Sequence, residues 1–253
     1  MTQQIRFGSA VAAVALAIAM GGSLPVLAQG QAAARPNVEP GATLALEKMG
    51  AYLRSLKAFQ VEAVTSSEEV LEDGQKVTFE GALNAVARMP DRLRISVNSD
   101  RRDRLYLYDG KEFTLLAQRV NYYATVPAPA TVGKLAEMLD TRYGMGLPLE
   151  DLFLWGGDQS LVLTGAMFVG PSQVNGVSCG HYAFRQDGLD WQVWIQLGDF
   201  PLPRKMVLTT TTDEARPQYT QTLTWNLAPS FNDAAFTFVA PKGAGRVVLP
   251  EVK

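Results

Sequence analysis

The segment 174–208, which reads VNGVSCGHYAFRQDGLDWQVWIQLGDFPLPRKMVL, constrains the fold more than any other part of the chain. Asp187-Gly188 is a two-residue connection typical of a type I′ β-hairpin, and such a turn fixes which residues of the two strands lie opposite each other. The pairs expected on one face are Phe184–Trp191, Tyr182–Val193 and Gly180–Ile195, and those on the other are Arg185–Asp190, Ala183–Gln192 and His181–Trp194. One face is apolar and the other is mostly polar, which predicts an antiparallel sheet with one solvated side.

The first 28 residues are typical of a secretory signal peptide. A short segment with one positive charge, Arg6, precedes an apolar stretch of 11 residues, 10–20, and Val26-Leu27-Ala28 supplies small residues for cleavage. The apolar stretch is too short for a stable membrane-spanning helix, although an uncleaved anchor is the alternative. Because no cysteine lies near the cleavage position, we expect an exported, periplasmic protein that is not a lipoprotein.

Removing residues 1–28 from the 253 leaves 225, which is enough for one domain with a sizeable core. We expect a flexible lead-in over residues 29–40 and a single domain over 41–253. Loss of Arg6 changes the net charge from −2 to −3, and this slight acidity argues against nucleic-acid binding. Cys179 is the only cysteine, so the chain cannot form an internal disulfide.

Two periodicities alternate along the rest of the chain. Apolar residues at helical spacing predict three short helices, over about 45–59, 131–144 and 148–157, with Thr131 as an N-cap and Gly144 as the end of the second. A period of two predicts strands at 60–71, 76–88, 92–99, 120–126 and 217–227. Asp109-Gly110 predicts a further hairpin in which Tyr106 faces Phe113. The fold class is therefore α+β, an antiparallel sheet whose apolar face is covered by about three helices.

Short motifs along nearly all of the mature chain carry a family resemblance. They are Tyr108-Asp109-Gly110-Lys111, Asn121-Tyr122-Tyr123-Ala124, Leu147-Pro148-Leu149, Asp190-Trp191-Gln192-Val193-Trp194-Ile195, Pro203-Arg204-Lys205, Phe236-Thr237-Phe238 and Pro241-Lys242-Gly243-Ala244. With them the chain resembles a family of predicted periplasmic proteins known only as a domain of unknown function. That family is similar, at superfamily level, to the LolA/LolB-like lipoprotein carriers, whose Pro-x-x-x-Arg strand signature resembles segment 89–94. The resemblance implies an incomplete antiparallel β-barrel, a half-barrel, with a helical lid over an apolar cavity.

Cys179 and His181 are the residues most capable of catalysis or metal binding. Two ligands are too few for a structural zinc site, and no third group that would orient a Cys–His pair is evident. We interpret them as a small buried cysteine and a histidine packed on Trp194, with an uncharacterised enzyme using Cys179 and His181 as the alternative. The sequence contains no glycine-rich phosphate loop, zincin motif or nucleophile elbow, so it indicates no catalytic residue, metal or cofactor.

A cluster of arginines forms the densest positive patch of the sequence. Its members are Arg88, Arg92, Arg94, Arg101, Arg102 and Arg104. Because Asp91, Asp100 and Asp103 are interleaved, we interpret the patch as a solvated loop and strand face. Contact with anionic lipid headgroups or an acidic partner is the alternative.

Aromatic residues and methionine are more numerous on the predicted apolar surfaces than a flat sheet buries easily. The candidate cavity residues are Met138, Leu139, Phe153, Trp155, Tyr182, Phe184, Trp191, Val193, Ile195, Tyr219, Leu223 and Trp225. Together they predict a periplasmic binding or carrier protein for a lipid, an acyl chain or another apolar ligand. Its partners would be that ligand or a lipid-modified protein, with transient contact to the membrane or to envelope proteins. The alternative to the carrier is an envelope scaffold whose core is filled by its own side chains.

The signal peptide yields a direct prediction. We expect cleavage after Ala28, because small residues at 26 and 28 follow a short apolar segment. N-terminal sequencing of the exported protein should begin at Gln29 or within a few residues of it. A membrane-bound protein that retains Met1 would contradict this expectation.

Overall fold

The computed structural model describes residues 37–150 and 162–252. Over these ranges the chain forms two α-helices, twelve β-strands and two single turns of 3-10 helix, Gln118–Val120 and Asp233–Phe236. The helices are α1 (Pro40–Ser55) and α2 (Val132–Tyr143). The strands are β1 (Ala58–Val70), β2 (Lys76–Arg88), β3 (Arg92–Ser99), β4 (Asp103–Tyr108), β5 (Glu112–Ala117), β6 (Tyr122–Pro127), β7 (Gly165–Val174), β8 (Val177–Gln186), β9 (Leu189–Gln196), β10 (Pro203–Thr210), β11 (Gln218–Asn226) and β12 (Gly245–Arg246).

All twelve strands belong to one open sheet, in the order β12-β6-β5-β4-β3-β2-β1-β11-β10-β9-β8-β7. Strands β1 to β6 run outward as a meander, and β7 to β11 return to the centre, where β11 pairs with β1. Every pairing is antiparallel except that of the short β12 with β6. The predicted α+β class and the antiparallel sheet are therefore confirmed.

The β8–β9 hairpin has the predicted register. Phe184 lies opposite Trp191, and Arg185 lies opposite Asp190, whose carboxylate accepts hydrogen bonds from the guanidinium at 2.7 and 3.0 Å. The turn itself is not type I′, because Gly188 has a positive φ of 73° and Asp187 does not. The predicted pairing is nevertheless correct, because the loop contains two residues as expected and loop length determines which residues of the two strands pair.

The register predicted for the hairpin at Asp109-Gly110 is wrong. Tyr106 pairs with Leu115, and Tyr108 pairs with Phe113. The turn lies one residue farther along the chain than predicted, because Asp109 N–H donates to the Glu112 carbonyl at 3.3 Å and the Asp109 carboxylate accepts hydrogen bonds from the backbone N–H groups of Lys111 and Glu112.

The observed ends of a helix match the predicted ends where the sequence supplies capping residues. The Thr131 hydroxyl accepts a hydrogen bond from Lys134 N–H at the start of α2, and Gly144 ends that helix with a φ of 58°. α1 ends at Ser55, earlier than its apolar stripe predicts. The third helix does not begin at Pro148, because residues 148–150 form a turn in which Leu149 has a φ of 61°; the rest of that prediction lies outside the described residues.

Both helices pack on one side of the sheet, which we call the inner face. α1 contributes Leu46, Met49 and Leu53 to the core, and α2 contributes Val132, Leu135 and Leu139. The sheet residues in the same core alternate along their strands; they are Phe59, Val61, Ala63, Leu83, Ala85, Ala87, Leu93, Ile95, Tyr106, Tyr108, Phe113, Ala166, Phe184, Trp191, Val193, Ile195, Met206 and Leu223. Apolar burial between this face and the two helices is the main source of stability.

The C-terminal segment 231–252, here called the strap, passes from the outer face around the β6 edge to α2. Phe238 packs on Tyr123 of the outer face with ring centroids 4.9 Å apart, and β12 then pairs with β6. At the end of the strap, Val252 N–H donates to the Arg142 carbonyl at 2.9 Å, and Glu251 forms an ion pair with Arg142. The strap therefore covers one edge of the sheet and contacts the C-terminal end of α2. In the described ranges neither helix combines the length and apolar character needed to cross a membrane.

The stacked Phe184–Trp191 pair permits a stability test. The rings lie 4.2 Å apart between centroids, and Trp191 is 5% exposed. We expect Trp191→Ala to lower the free energy of unfolding by about 3–5 kcal/mol, because a large buried side chain leaves a cavity. Chemical denaturation followed by circular dichroism measures the loss. Trp194→Ala, on the opposite face of the same strand, is the matched control and should cost clearly less; an equal cost would contradict the assignment of faces.

Tyr108 yields a pH prediction. Its hydroxyl donates to the Pro129 carbonyl, just before α2, and burial, with a smaller contribution from Asp91, raises its pKa to about 12. The phenol of an unfolded chain titrates at about pH 10. The stabilisation from the buried phenol of the folded protein is therefore complete below about pH 10 and is lost as the pH rises towards about 12. The difference in unfolding free energy between wild type and Tyr108→Phe should shrink over this range. Tyr122→Phe, an exposed control, should show no such trend; the same trend in both variants would contradict the prediction.

Candidate functional site

The two helices leave part of the inner face uncovered by described residues. Near the start of β1, the inward-facing Val61 and Ala63 are buried under the helices. Farther along the same strand, the inward-facing Thr65 and Ser67 are only half-buried. Two adjoining cavities lie at this open end.

The larger cavity lies between β4, β5 and the segment that follows α2, and we call it the β4–β5 cavity. Its volume is about 650 Å³. The lining residues are Arg102, Arg104, Tyr106, Leu115, Tyr143, Gly144, Met145, Gly146, Leu147, Pro148, Leu249 and Pro250. Apart from the two arginines this wall carries no charged side chain among the described residues, and the end of the strap forms one side of it.

The smaller cavity, of about 420 Å³, lies at the tip of the β1–β2 hairpin, and we call it the tip cavity. Its lining residues are Thr65, Ser67, Glu68, Glu69, Phe79, Glu80, Leu83, Val97, Ser99, Arg101, Arg102, Tyr106, Pro148 and Tyr219. Arg102, Tyr106 and Pro148 line both cavities, so the two spaces adjoin.

Ion pairs balance most of the charge around the tip cavity. Arg101 pairs with Glu69 and lies over the Phe79 ring, 4.7 Å from its centroid. Lys76 pairs with Glu68 at 3.0 Å. The hydrogen bond from Lys76, together with one from the backbone of Gln218, lowers the pKa of Glu68 and keeps that carboxylate ionised.

A third cavity, of about 460 Å³, lies elsewhere on the sheet, between β7, β8 and β9. Phe184 and Trp191 line it together with the Arg185–Asp190 ion pair. Arg216 also binds Asp190, and the hydrogen bond from Arg185, followed by that from Arg216, lowers the pKa of the Asp190 carboxyl. A charged pair already satisfied in this way leaves the third cavity less suited to an apolar ligand.

The structure does not bring the predicted cavity residues to one place. Tyr219 lines the tip cavity, and Phe184 and Trp191 line the third cavity. The other described candidates belong to the core or pack against it; the buried ones are Leu139, Val193, Ile195 and Leu223, and the half-buried ones are Met138, Tyr182 and Trp225. Phe153 and Trp155 lie outside the described residues.

Cys179 and His181 have separate surroundings. The Cys179 thiol is buried and donates to the Val177 carbonyl at 3.4 Å, and burial raises its pKa, which disfavours the nucleophilic thiolate. The His181 ring stacks on Trp194 with centroids 3.9 Å apart, and its Nε2 forms a hydrogen bond with Gln192 at 2.9 Å. The predicted packing of both residues is confirmed. Within residues 37–150 and 162–252, no cluster of three potential metal ligands occurs.

Sequence reasoning missed most of the residues that line the β4–β5 cavity. Leu115 and Tyr106 are inward-facing strand residues whose pattern resembles that of the filled core. Leu249 and Pro250 reach the cavity only because the strap crosses the β6 edge, and no local pattern indicates that path. The arginine cluster was the one sequence feature that could have pointed to this cavity, since Arg102 and Arg104 belong to it.

Comparison with solved structures finds similar chains at low sequence identity. An uncharacterized conserved protein from Thermus thermophilus has a TM-score of 0.48 and 11% identity, over 82% of this chain and 99% of that one. LprF from Mycobacterium bovis has a TM-score of 0.44 and 13% identity, over 83% and 100%. A LolA superfamily protein from Nitrosomonas europaea has a TM-score of 0.36 and 10% identity, over 78% and 97%. None of these likenesses is strong enough to transfer a function.

No curated protein matches the sequence significantly. A family match does extend over most of the chain, from residue 42 to residue 249, and it includes both helices, apart from the first residues of α1, and every strand. The chain therefore belongs to the family of predicted periplasmic proteins DUF2092.

Proposed function

We propose that this protein binds and carries a lipid, an acyl chain or another apolar ligand in the periplasm. The β4–β5 cavity is the observation that supports the proposal. Its volume of about 650 Å³ lies within the range of ~300–1,000 Å³ usual for small-molecule sites. Its wall combines the two arginines and two tyrosines with leucine, methionine and proline side chains, which suits a ligand with a large hydrocarbon part.

The proposal includes a half-barrel with a helical lid. The open sheet carries both described helices on its inner face, and the segment after α2 lies over β4 and β5. Gly144 has a left-handed backbone and Gly146 is exposed, whereas Leu147 and Leu149 are buried in the core, so opening of this segment would have to expose these two side chains. We infer that α2 and residues 143–150 form the movable part of the lid and pivot at the start of α2, where Val132 N–H is anchored to the Pro90 carbonyl at 2.9 Å.

Export, cargo delivery and the sequence-derived contacts belong to the same proposal. A cleaved signal peptide over residues 1–28 would deliver a periplasmic protein without a lipid anchor. Met138, Phe153, Trp155 and Tyr219 remain proposed ligand contacts. The cargo would be a free lipid or the acyl groups of a lipid-modified protein.

A scaffold role is the second candidate, and the packed core favours it. Leu139 has no exposed surface, and Val193 is equally buried, so the region between the helices and the sheet centre is filled by side chains. A scaffold needs no ligand, so the β4–β5 cavity would then remain without an apolar occupant.

A binding assay separates the two candidates. We expect a fluorescent fatty acid to bind the wild-type protein saturably and to be displaced by unlabelled palmitate. Leu115→Trp should weaken binding at least about tenfold, because the larger ring occupies the cavity. Leu115 is a better position than Leu139, where a larger side chain would disrupt the core instead.

Val64→Trp is the matched control. Val64 lies on the outer face of β1 and is 66% exposed, so the same substitution there leaves the cavity unchanged. The control should retain wild-type affinity, and circular dichroism should show that both variants are folded. If no probe binds saturably, or if Leu115→Trp binds as well as wild type, the scaffold role replaces the carrier role.

A further inference from the structure

We propose that the ligand of the β4–β5 cavity is an anionic amphiphile whose carboxylate or phosphate headgroup is bound by Arg102 and Arg104. This inference rests on the proposed function and specifies the class of ligand. The apolar chain would lie along Leu115, Met145 and Leu147, which line the same space.

The positions of the two arginines follow from the sheet. Arg104 lies on β4 opposite Val97 and two residues before Tyr106, so its side chain emerges on the inner face. Arg102 lies in the turn between β3 and β4 and lines both the β4–β5 cavity and the tip cavity. Both arginines therefore belong to a wall whose other described residues are uncharged.

The other arginines of the cluster are already engaged. Arg88 pairs with Asp233 at 2.7 Å, Arg92 with Asp91 at 2.8 Å, and Arg101 with Glu69. Arg94 donates to the Ala235 carbonyl at 3.5 Å. In the part of the chain that the structure describes, the guanidinium groups of Arg102 and Arg104 have no ion pair or hydrogen bond.

None of the described carboxylates forms an ion pair with either of these two arginines. Asp103 accepts a hydrogen bond from the Gln118 side chain, and Asp100 accepts one from the Glu80 backbone N–H at 3.3 Å. Glu68, Glu69 and Glu80 line the tip cavity, whereas the described wall of the β4–β5 cavity contains no acidic residue. Arg102 is exposed, in agreement with the interpretation of a solvated arginine face, and Arg104 is half-buried.

Arginine is well suited to this role. Its planar guanidinium binds carboxylate and phosphate oxygens through paired hydrogen bonds, and such charge-assisted bonds are stronger than neutral ones. Arg104 is half-buried and Arg102 is exposed, so solvent screens an anion less strongly from Arg104 than from Arg102. The acyl groups of a lipid-modified protein carry no anionic headgroup next to their chains, so the pair of arginines favours an anionic lipid over that cargo.

Affinities for ligands of equal chain length test the inference. Palmitate and hexadecyl phosphate should each bind the wild-type protein about tenfold more tightly than neutral hexadecanol. In the double variant Arg102→Gln with Arg104→Gln, this preference should disappear while the affinity for hexadecanol is retained. The double variant Lys242→Gln with Arg246→Gln removes the same charge from exposed positions on the strap and should keep the preference.

The outcomes distinguish this inference from the proposed function. Saturable binding of hexadecanol equal to that of palmitate, or a preference that survives in the arginine variant, would overturn the inference and leave the carrier role intact. Failure of all three ligands to bind would overturn both. Displacement of the probe by inorganic phosphate alone would indicate a site for free anions, and a triacylated neutral peptide that binds as tightly as palmitate would indicate a lipoprotein cargo; either result would overturn the inference.

Discussion

Burial of one apolar sheet face beneath α1 and α2 is the interaction on which the rest of the structure depends. A sheet of twelve strands cannot leave such a face in water, and the described part of the chain covers it with only two helices. Where helix residues such as Met49 and Leu135 meet the sheet, the space is filled and the strands are held together. Where β1 to β5 extend beyond the helices, the same inward-facing alternation produces walls instead of a core. The cavities therefore exist because the two described helices cover only part of the inner face.

The sequence predicted those elements whose chemistry is local. The β8–β9 register follows from a two-residue loop, and the ends of α2 follow from Thr131 and Gly144, so these predictions are confirmed. The pairing predicted for the hairpin after Tyr108 was wrong because hydrogen bonds to the Asp109 side chain place the turn one residue farther along the chain, which strand alternation does not reveal. The β4–β5 cavity was harder still to predict, because Leu249 and Leu115 line it together only through the path of the strap. A single sequence contains no record of contacts between residues so far apart in the chain.

The arginine cluster shows why a charged motif must be resolved residue by residue. Six arginines within 17 residues look alike in sequence, yet four of them bind partners on the protein and two do not, within the part of the chain that the structure describes. The difference comes from topology: alternation along β3 and β4 sends Arg94 to the outer face and Arg104 to the inner one. Charge density alone therefore says little about binding, whereas the two unmatched charges beside the cavity are the basis for the proposed class of ligand.

The strap also imposes an order of assembly. A polypeptide is synthesised from its N-terminal end, so β4 and β5 exist long before residues 249 and 250, which complete the cavity wall. Until that final segment has crossed the β6 edge and Val252 has reached α2, the apolar surface of the cavity stays open to solvent. In the proposed carrier, a chain that lacks residues 249–252 would therefore be unable to enclose a ligand, and a partner that loosens this segment would reopen the cavity without separating the helices from the sheet.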